Sequence, residues 1–478
     1  MNKYFATEIA GCDAPLKKRT VISPFDGSTV GEIDLAGASH VEQALVNAYA
    51  LFRNRRAWLS LQQRINVLEN LAALMEQQKD ELARLAAMEG GKPLIDSRVE
   101  VDRAINGIKI CIETISSEAG ARYALPEADP RNMRFGFTSK EPVGVVVAVS
   151  AFNHPLNLIV HQVAAAVAAG CPVIVKPADD TPLSCFNFAS LLTEAGLPMS
   201  WCQALVPKKL ELATALVSDP RVGFFSFIGS AKVGWMLRTK LAAGTRCALE
   251  HGGAAPVIVD ATADLNKVIP SLLKGGYYHS GQVCVSVQRV FVHELLLDEL
   301  ADKLATVVQQ LRVGDPLDDS TELGPLIRPA EVKRVAGWVQ EAVDAGATLL
   351  AGGDVLPNNC YQPTLLLEPP ANCAVSSKEI FGPVVCLYSY RDVDDAIARA
   401  NSLDVAFQAA VFTQDVDRAF EAYQQLDAAA VMVNDHTAFR HDAMPFAGLR
   451  HSGLAVGGIP FTIEDMQIDK LFVLKTQR

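Results

Sequence analysis

The sequence predicts an α/β chain wound around two parallel sheets, and three observations carry that reading. Short β-branched runs, VGVVVAV (residues 143–149), PVIV (172–175) and VGFFSF (222–227), alternate with helix-like stretches, the signature of parallel strands with helical crossovers. A second alternation starts near Ala255 with APVIVD, passes through RVFVHE and ATLLAG, and ends near AVMVND. The chain has 478 residues, 50% hydrophobic and 20% charged, which suits a well-packed protein but exceeds what one hydrophobic core usually supports.

Taken in order, the turn-rich segment SPFDGSTVGEI (23–33) precedes helical patterns over 38–85 with Trp58 between them, so this half is expected to open with helices. A further helical run carries Arg103. The polar, alternating, Pro-containing segment LPEADPRNMRFGFTSKEP (125–142) reads as a hairpin leaving the main body as an interaction element. The apolar stretch 163–175 contains Gly170 and Pro172 and is shorter than the roughly 20 residues that cross a bilayer, so it reads as a buried helix running into a strand. Helices over 296–311 and 329–345 separate strands of the second alternation. The terminal run DKLFVLK (469–475) is expected as a strand lying beyond this unit and free to pair with another subunit's sheet edge.

A net charge of −11 repels polyanions, which argues against nucleic acid or an anionic membrane as partner. Glu8 interrupts MNKYFATEIAG where a secretory signal needs an apolar core, so a cytoplasmic location is expected. The 10 cysteines include no CxxC pair, so neither a disulfide framework nor a metal site is expected, and nine read as small buried hydrophobes.

Cys284 differs in its setting. In GQVCVSVQR (281–289) a Gly-bounded turn presents it before an alternating strand, where a thiol can face a cleft, although a lone cysteine beside a strand is more often core. Glu250 ends an apolar strand directly before His251 and the pair Gly252-Gly253. It is a candidate general base for water, or equally a helix-capping or salt-bridged carboxylate. Asn153 follows the strand VGVVVAV at its carboxyl end, where open α/β sheets bind ligands. It can donate to a developing oxyanion, or satisfy its own loop. In FIGSAKVG (227–234) Gly229 and Ser230 are expected to present free backbone N–H groups to a pyrophosphate, or simply to start a helix. Lys176 and Asp179 in VIVKPADD can hold the two sides of a ribose, or form a surface pair.

Together these motifs resemble the aldehyde dehydrogenase superfamily: AFNHP around Asn153, VKPADDTPLS, FIGSAKVG, Glu250 before Gly-Gly, GQVC, KEIFGPV, and the flanking SPFDG and MPFAGLRHSG, in family order over essentially the whole chain. The resemblance implies a Rossmann-like NAD-binding domain (1–124 and 143–250), an α/β catalytic domain (251–453) and an oligomerisation flap made of a β-hairpin and the C-terminal strand (125–142 and 460–478), in a dimer or tetramer. It implies Cys284 as nucleophile, Asn153 as oxyanion donor and Glu250 as base for the hydrolytic water. It also implies Lys176 and Asp179 at the adenosine ribose, Gly229 and Ser230 at the pyrophosphate, and Glu379 with Phe381 at the nicotinamide ribose. The cofactor expected is NAD, with NADP as the alternative, because Asp179 stands where glutamate is more frequent and reaches less far.

Other departures bear on substrate: His251 where leucine is usual, Ala447 where a second glycine often precedes Gly448, and His154 where a large apolar residue often follows the asparagine. Arg103, His154 and Arg440 match positions that line the aldehyde tunnel in relatives acting on anionic aldehydes such as phosphonoacetaldehyde or succinate semialdehyde. Val283 stands where an arginine would strengthen the phosphonate match. Two arginines suit a short anionic aldehyde; the competing reading makes both structural ion-pair partners. The rival functions are an acylating, coenzyme A-dependent dehydrogenase, which generally lacks the base at Glu250, and a non-catalytic cofactor-binding protein on the same fold.

Overall fold

The first of the two sheets collects strands whose carboxyl ends share one edge. A computed structural model describes residues 3–125 and 132–477. In it Arg246–Glu250, Val222–Ile228, Val145–Val149, Val173–Lys176 and Cys202–Ala204 lie side by side in that order, all parallel, with the short antiparallel strand Gly453–Leu454 closing the first edge. The period of two is visible in the packing. Val146 and Ala148 enter the core against helices Leu61–Gln77, Leu94–Ser117 and Leu183–Glu194, while Val145 and Val147 meet Val41, Ala44 and Leu45 of helix Ala38–Arg53 on the other face. Burial on both faces explains why these strands are continuous apolar runs.

The second sheet runs Thr348–Ala351, Thr364–Leu367, Val384–Tyr390, Val287–His293, Ala255–Val259, Gln408–Phe412, Ala430–Val433 and is parallel except for its first strand. Helices Glu294–Val308 and Pro329–Asp344 match the expected positions. Three of its strands, TLLL, VVCLYSY and QAAVF, were absent from the sequence expectation. They are short and almost wholly buried, so no alternation marks them. For the same reason the strand after Cys284, expected to alternate, is buried from Val287 to Val292 at the centre of the sheet.

The amino-terminal half opens with strands, not helices. Lys17–Ile22 and Thr29–Ala36 form an antiparallel hairpin around the turn at 23–28, with Lys3–Phe5 and Val206–Pro207 alongside. Its alternation is hidden by Asp34, which is buried and accepts hydrogen bonds from Tyr4 Oη and the Thr7 amide. The C-terminal strand meets the hairpin with which the resemblance grouped it, and does so within its own chain. Gln467–Gln477 pairs with Asn132–Pro142 of its own chain, and Arg122–Leu125 completes a three-stranded antiparallel sheet. The hairpin therefore starts at Arg122; the parts of the expected flap at 126–131 and 478 lie outside the described residues. Among the described residues no helix is long and apolar enough to cross a membrane.

Candidate active site

The carboxyl edge of the first sheet faces the amino edge of the second, and a cavity of about 670 Å³ lies between them. Asn153 and His154 follow strand Val145–Val149, Glu250 ends strand Arg246–Glu250, and Gly229 with Ser230 follows strand Val222–Ile228. From the other side, Cys284 precedes Val287–His293 while Glu379 and Phe381 precede Val384–Tyr390. All of these line the cavity, with Arg103 and Arg440. Lys176 and Asp179 do not; Ala178 is the lining residue of that loop, and Asp179 borders a smaller adjoining pocket.

Cys284 reaches the cavity because the chain before it is bent sharply. His279, Ser280 and Gly281 all adopt left-handed backbone angles (φ 48°, 55° and 70°), a costly run for the two non-glycine residues that the surroundings must hold. Ser280 Oγ donates to Gly324 O at 2.7 Å, and Gln282 Oε1 accepts from the Ile327 amide at 3.0 Å. The Gln282 carbonyl in turn accepts from Asn153 Nδ2 at 2.9 Å, so Asn153 is locked to the residue two before Cys284, and its second amide hydrogen has no partner among the described residues. Burial pushes the Cys284 thiol up to about 12, with the charges of Glu250 and Glu379 adding and Arg440 opposing. Burial likewise pushes the Glu250 carboxyl up to about 7 against the pull of Arg440. A Cβ at Gly457 would lie 2.2 Å from Glu250 Oε1, so glycine there makes room for the carboxylate.

Beneath Asn153 lies an ion pair that excludes water: Lys92 and Glu100 are 1% and 0% exposed. Lys92 Nζ also donates to Asn153 O at 3.3 Å, and Glu100 Oε1 accepts from the Leu156 and Asn157 amides at 2.9 Å each. Lys92→Met strands the Glu100 charge and is expected to destabilise the protein by about 3–5 kcal/mol, read from the midpoint of urea unfolding. A loss under about 1 kcal/mol would show that the pair is not holding the Asn153 loop.

On the opposite side the residues fit a dinucleotide. Glu379 Oε1 is buried without a hydrogen-bond partner, the kind of acceptor a ribose hydroxyl satisfies, and burial raises this carboxyl to about 8 against the pull of Arg334. A Cβ at Gly252 would meet that oxygen at 1.6 Å. Phe381 holds a left-handed φ of 49° and sets its ring edge-on to Phe152 at 5.8 Å. Ser230 opens helix Ala231–Arg238 without a side-chain cap, leaving first-turn amides for an anion. Gly229 corrects the sequence expectation, because its amide is not free: it donates to Glu250 O at 3.0 Å and so ties the 229–230 turn to the end of strand Arg246–Glu250. Lys176 and Asp179 pair with each other at 2.7 Å, and Arg19 approaches Asp179 at 3.3 Å. Burial opposes the Asp179 charge, but the two cations outweigh it and hold the carboxyl below its ordinary value.

The far end of the cavity separates the two arginines. Arg103 donates to Asp442 through Nη2 at 2.7 Å and Nε at 3.2 Å, as the ion-pair reading requires. Arg440 has no carboxylate within 4 Å among the described residues. It donates to Met444 O at 3.2 Å and lies 3.9 Å over the Phe446 ring. Burial lowers it to about 10, so it stays charged at neutral pH. His154 Nε2 sits 3.3 Å from Tyr278 Oη, and burial holds this imidazole neutral.

Gln282, Asp442, Tyr278, His161 and the Lys92–Glu100 pair were not singled out in the sequence. Gln282 lies inside GQVC and Asp442 two residues after Arg440, so local motifs pointed near them. Nothing in spacing links Glu100 to the amides of Leu156 and Asn157, 56 and 57 positions on, or His161 to Asp442, 281 positions away.

Residues 12–471 match the model of the aldehyde dehydrogenase family. The chain is 35% identical over 459 residues to 3-sulfolactaldehyde dehydrogenase of Priestia aryabhattai, covering 96% of this chain and 95% of that one. It superimposes with a TM-score of 0.94 on an aldehyde dehydrogenase of Physcomitrella patens in complex with the reaction product succinate (33% identity, 99% of each chain). With a TM-score of 0.90 it superimposes on a glyceraldehyde-3-phosphate dehydrogenase of Methanocaldococcus jannaschii complexed with NADP (32% identity, 96% and 99% covered).

Proposed function

The chain belongs to the aldehyde dehydrogenase family of NAD(P)-dependent oxidoreductases, and from that premise we propose that it oxidises a short anionic aldehyde to its carboxylic acid through a thioester on Cys284. The observation that carries the reading is the convergence of Cys284, Glu250 and Asn153, from three distant segments, on one cavity that also holds an unpaired arginine. Cys284 Sγ adds to the aldehyde carbon as the thiol proton is released to solvent, and the new oxyanion is held by the second Asn153 amide hydrogen and the Cys284 backbone N–H, which leaves Glu250 ionised for the water. A nicotinamide dinucleotide, when bound, would supply the hydride acceptor this oxidation requires. Ser230, Glu379 and Phe381 would hold its pyrophosphate and nicotinamide ribose, with Lys176 and Asp179 at the adenosine ribose. Glu250 then takes a proton from water, whose oxygen displaces the thiol and releases the acid.

NAD is the acceptor we favour, with NADP the alternative, since Asp179 repels a 2′-phosphate while Lys176 and Arg19 beside it soften that repulsion. The named relatives whose reactions involve sulfolactaldehyde and succinate support an anionic substrate, as does Arg440. Wild-type protein with NAD or NADP and a panel of aldehydes is expected to form acid without coenzyme A, with the highest kcat/KM for an anionic aldehyde. A higher kcat/KM for a neutral aliphatic aldehyde than for succinate semialdehyde would remove the anion pocket, and a coenzyme A thioester as product would make the enzyme acylating.

We assign 1–124 and 143–250 to cofactor binding, 251–453 to catalysis and 125–142 with 460–478 to assembly. In support, the first sheet draws five of its six strands from 143–250 and the whole second sheet lies within 251–453. Strand Gln467–Gln477 keeps one edge open and exposes Leu471, Phe472, Val473 and Leu474, while Ala430–Val433 forms an open edge of the second sheet. Such edges invite strand addition from a second copy. Light scattering is expected to give a dimer or tetramer, and Leu471→Asp with Val473→Asp is expected to give monomers; a monomeric wild type would remove the assembly role.

A further inference from the structure

Around the far end of the cavity the charges can be counted. Asp442 is 2% exposed and does not border the cavity; it stands behind Arg103, Asn157 and His161, which do. Four donors converge on its carboxylate: Arg103 Nη2 and Nε, His161 Nε2 at 2.7 Å and Asn157 Nδ2 at 3.3 Å. Burial opposes its charge, but His161 and Arg103 outweigh burial and hold the carboxyl well below the ordinary range. Arg103 is therefore neutralised from behind by a carboxylate the substrate cannot displace. Nearby Lys92 is matched by Glu100 and Lys274 by Asp96. His154 and His161 are held neutral by burial, His161 against the pull of Asp442. Glu250, on the nucleophile's wall, subtracts further from Arg440 when ionised. Among the described residues around this end, one guanidinium, that of Arg440, is left for the substrate.

We propose that the far end of this cavity accepts a singly charged acid group, a carboxylate or sulfonate, in preference to a doubly charged phosphonate or phosphate, and that Asp442 sets this preference by consuming the charge of Arg103. The inference rests on the reading above that an acid-bearing aldehyde enters with its anionic end at Arg440. A second negative charge there meets no cation and, with Glu250 ionised, meets repulsion in a poorly solvated space. Asp442 acts through Arg103 and is a specificity-positioning residue, not a catalytic one.

Sulfoacetaldehyde and phosphonoacetaldehyde test this directly, because they match in size and differ in charge, with propionaldehyde as the neutral reference. At alkaline pH, where the phosphonate carries two charges, wild-type kcat/KM is expected to favour the sulfonate by about tenfold or more, carried by KM. As pH falls through the second ionisation of the phosphonate, the ratio is expected to close, and protonation of Glu250, whose carboxyl is raised to about 7, eases the repulsion of the dianion and acts in the same direction. Asp442→Asn, which keeps the shape and releases the Arg103 charge, is expected to move the ratio about tenfold toward the phosphonate. Equal or better use of the dianion by the wild type at alkaline pH overturns the charge count while leaving the anion reading standing. An unchanged ratio in an Asp442→Asn protein that still oxidises propionaldehyde overturns the role of Asp442. If the wild type prefers propionaldehyde to both anions, the underlying reading fails and this inference with it. Should the variant not fold, the pH series on the wild type still decides the preference.

Discussion

Cys284→Ala is expected to lower kcat/KM for every aldehyde by about four orders of magnitude or more, because Cys284 is the one thiol among the described residues that line the cavity. The side chain faces the cavity and fills little of the core, so the melting temperature and dinucleotide binding are expected to persist. Residual turnover within about tenfold of wild type would move the nucleophile elsewhere. The wild-type thiol offers a second check. With burial and two carboxyls raising it to about 12, the thiol is protonated at neutral pH in the free enzyme. Its thiolate fraction rises about tenfold per pH unit below that value, so alkylation by iodoacetamide is expected to be slow at neutrality and to climb with the same slope. The Cys284→Ala protein is expected to lose that phase. Rapid alkylation at neutral pH would mean that the free enzyme already holds a thiolate, and that its cations outweigh burial.

Glu250→Gln is expected to separate the two halves of the reaction. A glutamine cannot take the water proton, and loss of a general base costs about 10²–10⁴ in the step it serves. Steady-state turnover is thus expected to fall by about a thousandfold, limited by hydrolysis, with the acyl group detectable on Cys284 by mass spectrometry of quenched enzyme. In the wild type the base works only when ionised. With its carboxyl raised to about 7, kcat is expected to be low at acid pH, to rise through neutrality and to level off above it. That limb is expected to vanish in Glu250→Gln. Should the variant keep wild-type kcat and the same pH profile, Glu250 is not the base, and the acylating alternative regains weight.

Much of the site was legible in the sequence because its residues sit at the ends of short, strongly apolar strands. In a parallel sheet the carboxyl ends share one edge, so Asn153, Glu250 and Gly229, read separately, had to fall near one another once VGVVVAV, RCALE and VGFFSF were strands of one sheet. The local signal failed where burial on both faces erased alternation, as in Gln408–Phe412, and where a buried acid interrupted it, as Asp34 does in Thr29–Ala36. The terminal strand was recognisable as a strand, but an apolar run carries no record of which edge it will meet, and only the family resemblance grouped it with the hairpin.

By itself the sequence determined the α/β class, the two alternating units and the family, and it offered Cys284 as the candidate nucleophile, since each depends on residues close together in the chain. Only the tertiary structure decided that the amide of Gly229 is spent on Glu250, that Asn153 is locked by the carbonyl of Gln282, and that Lys92 and Glu100 support it from below. It also decided between the two arginines, which look alike in sequence: one is answered by Asp442, 339 positions away, and the other is answered by no carboxylate among the described residues. The reason is physical. Local periodicity reports which face of a strand or helix is buried, whereas the charge state of a buried site depends on which distant groups folding brings within reach of it.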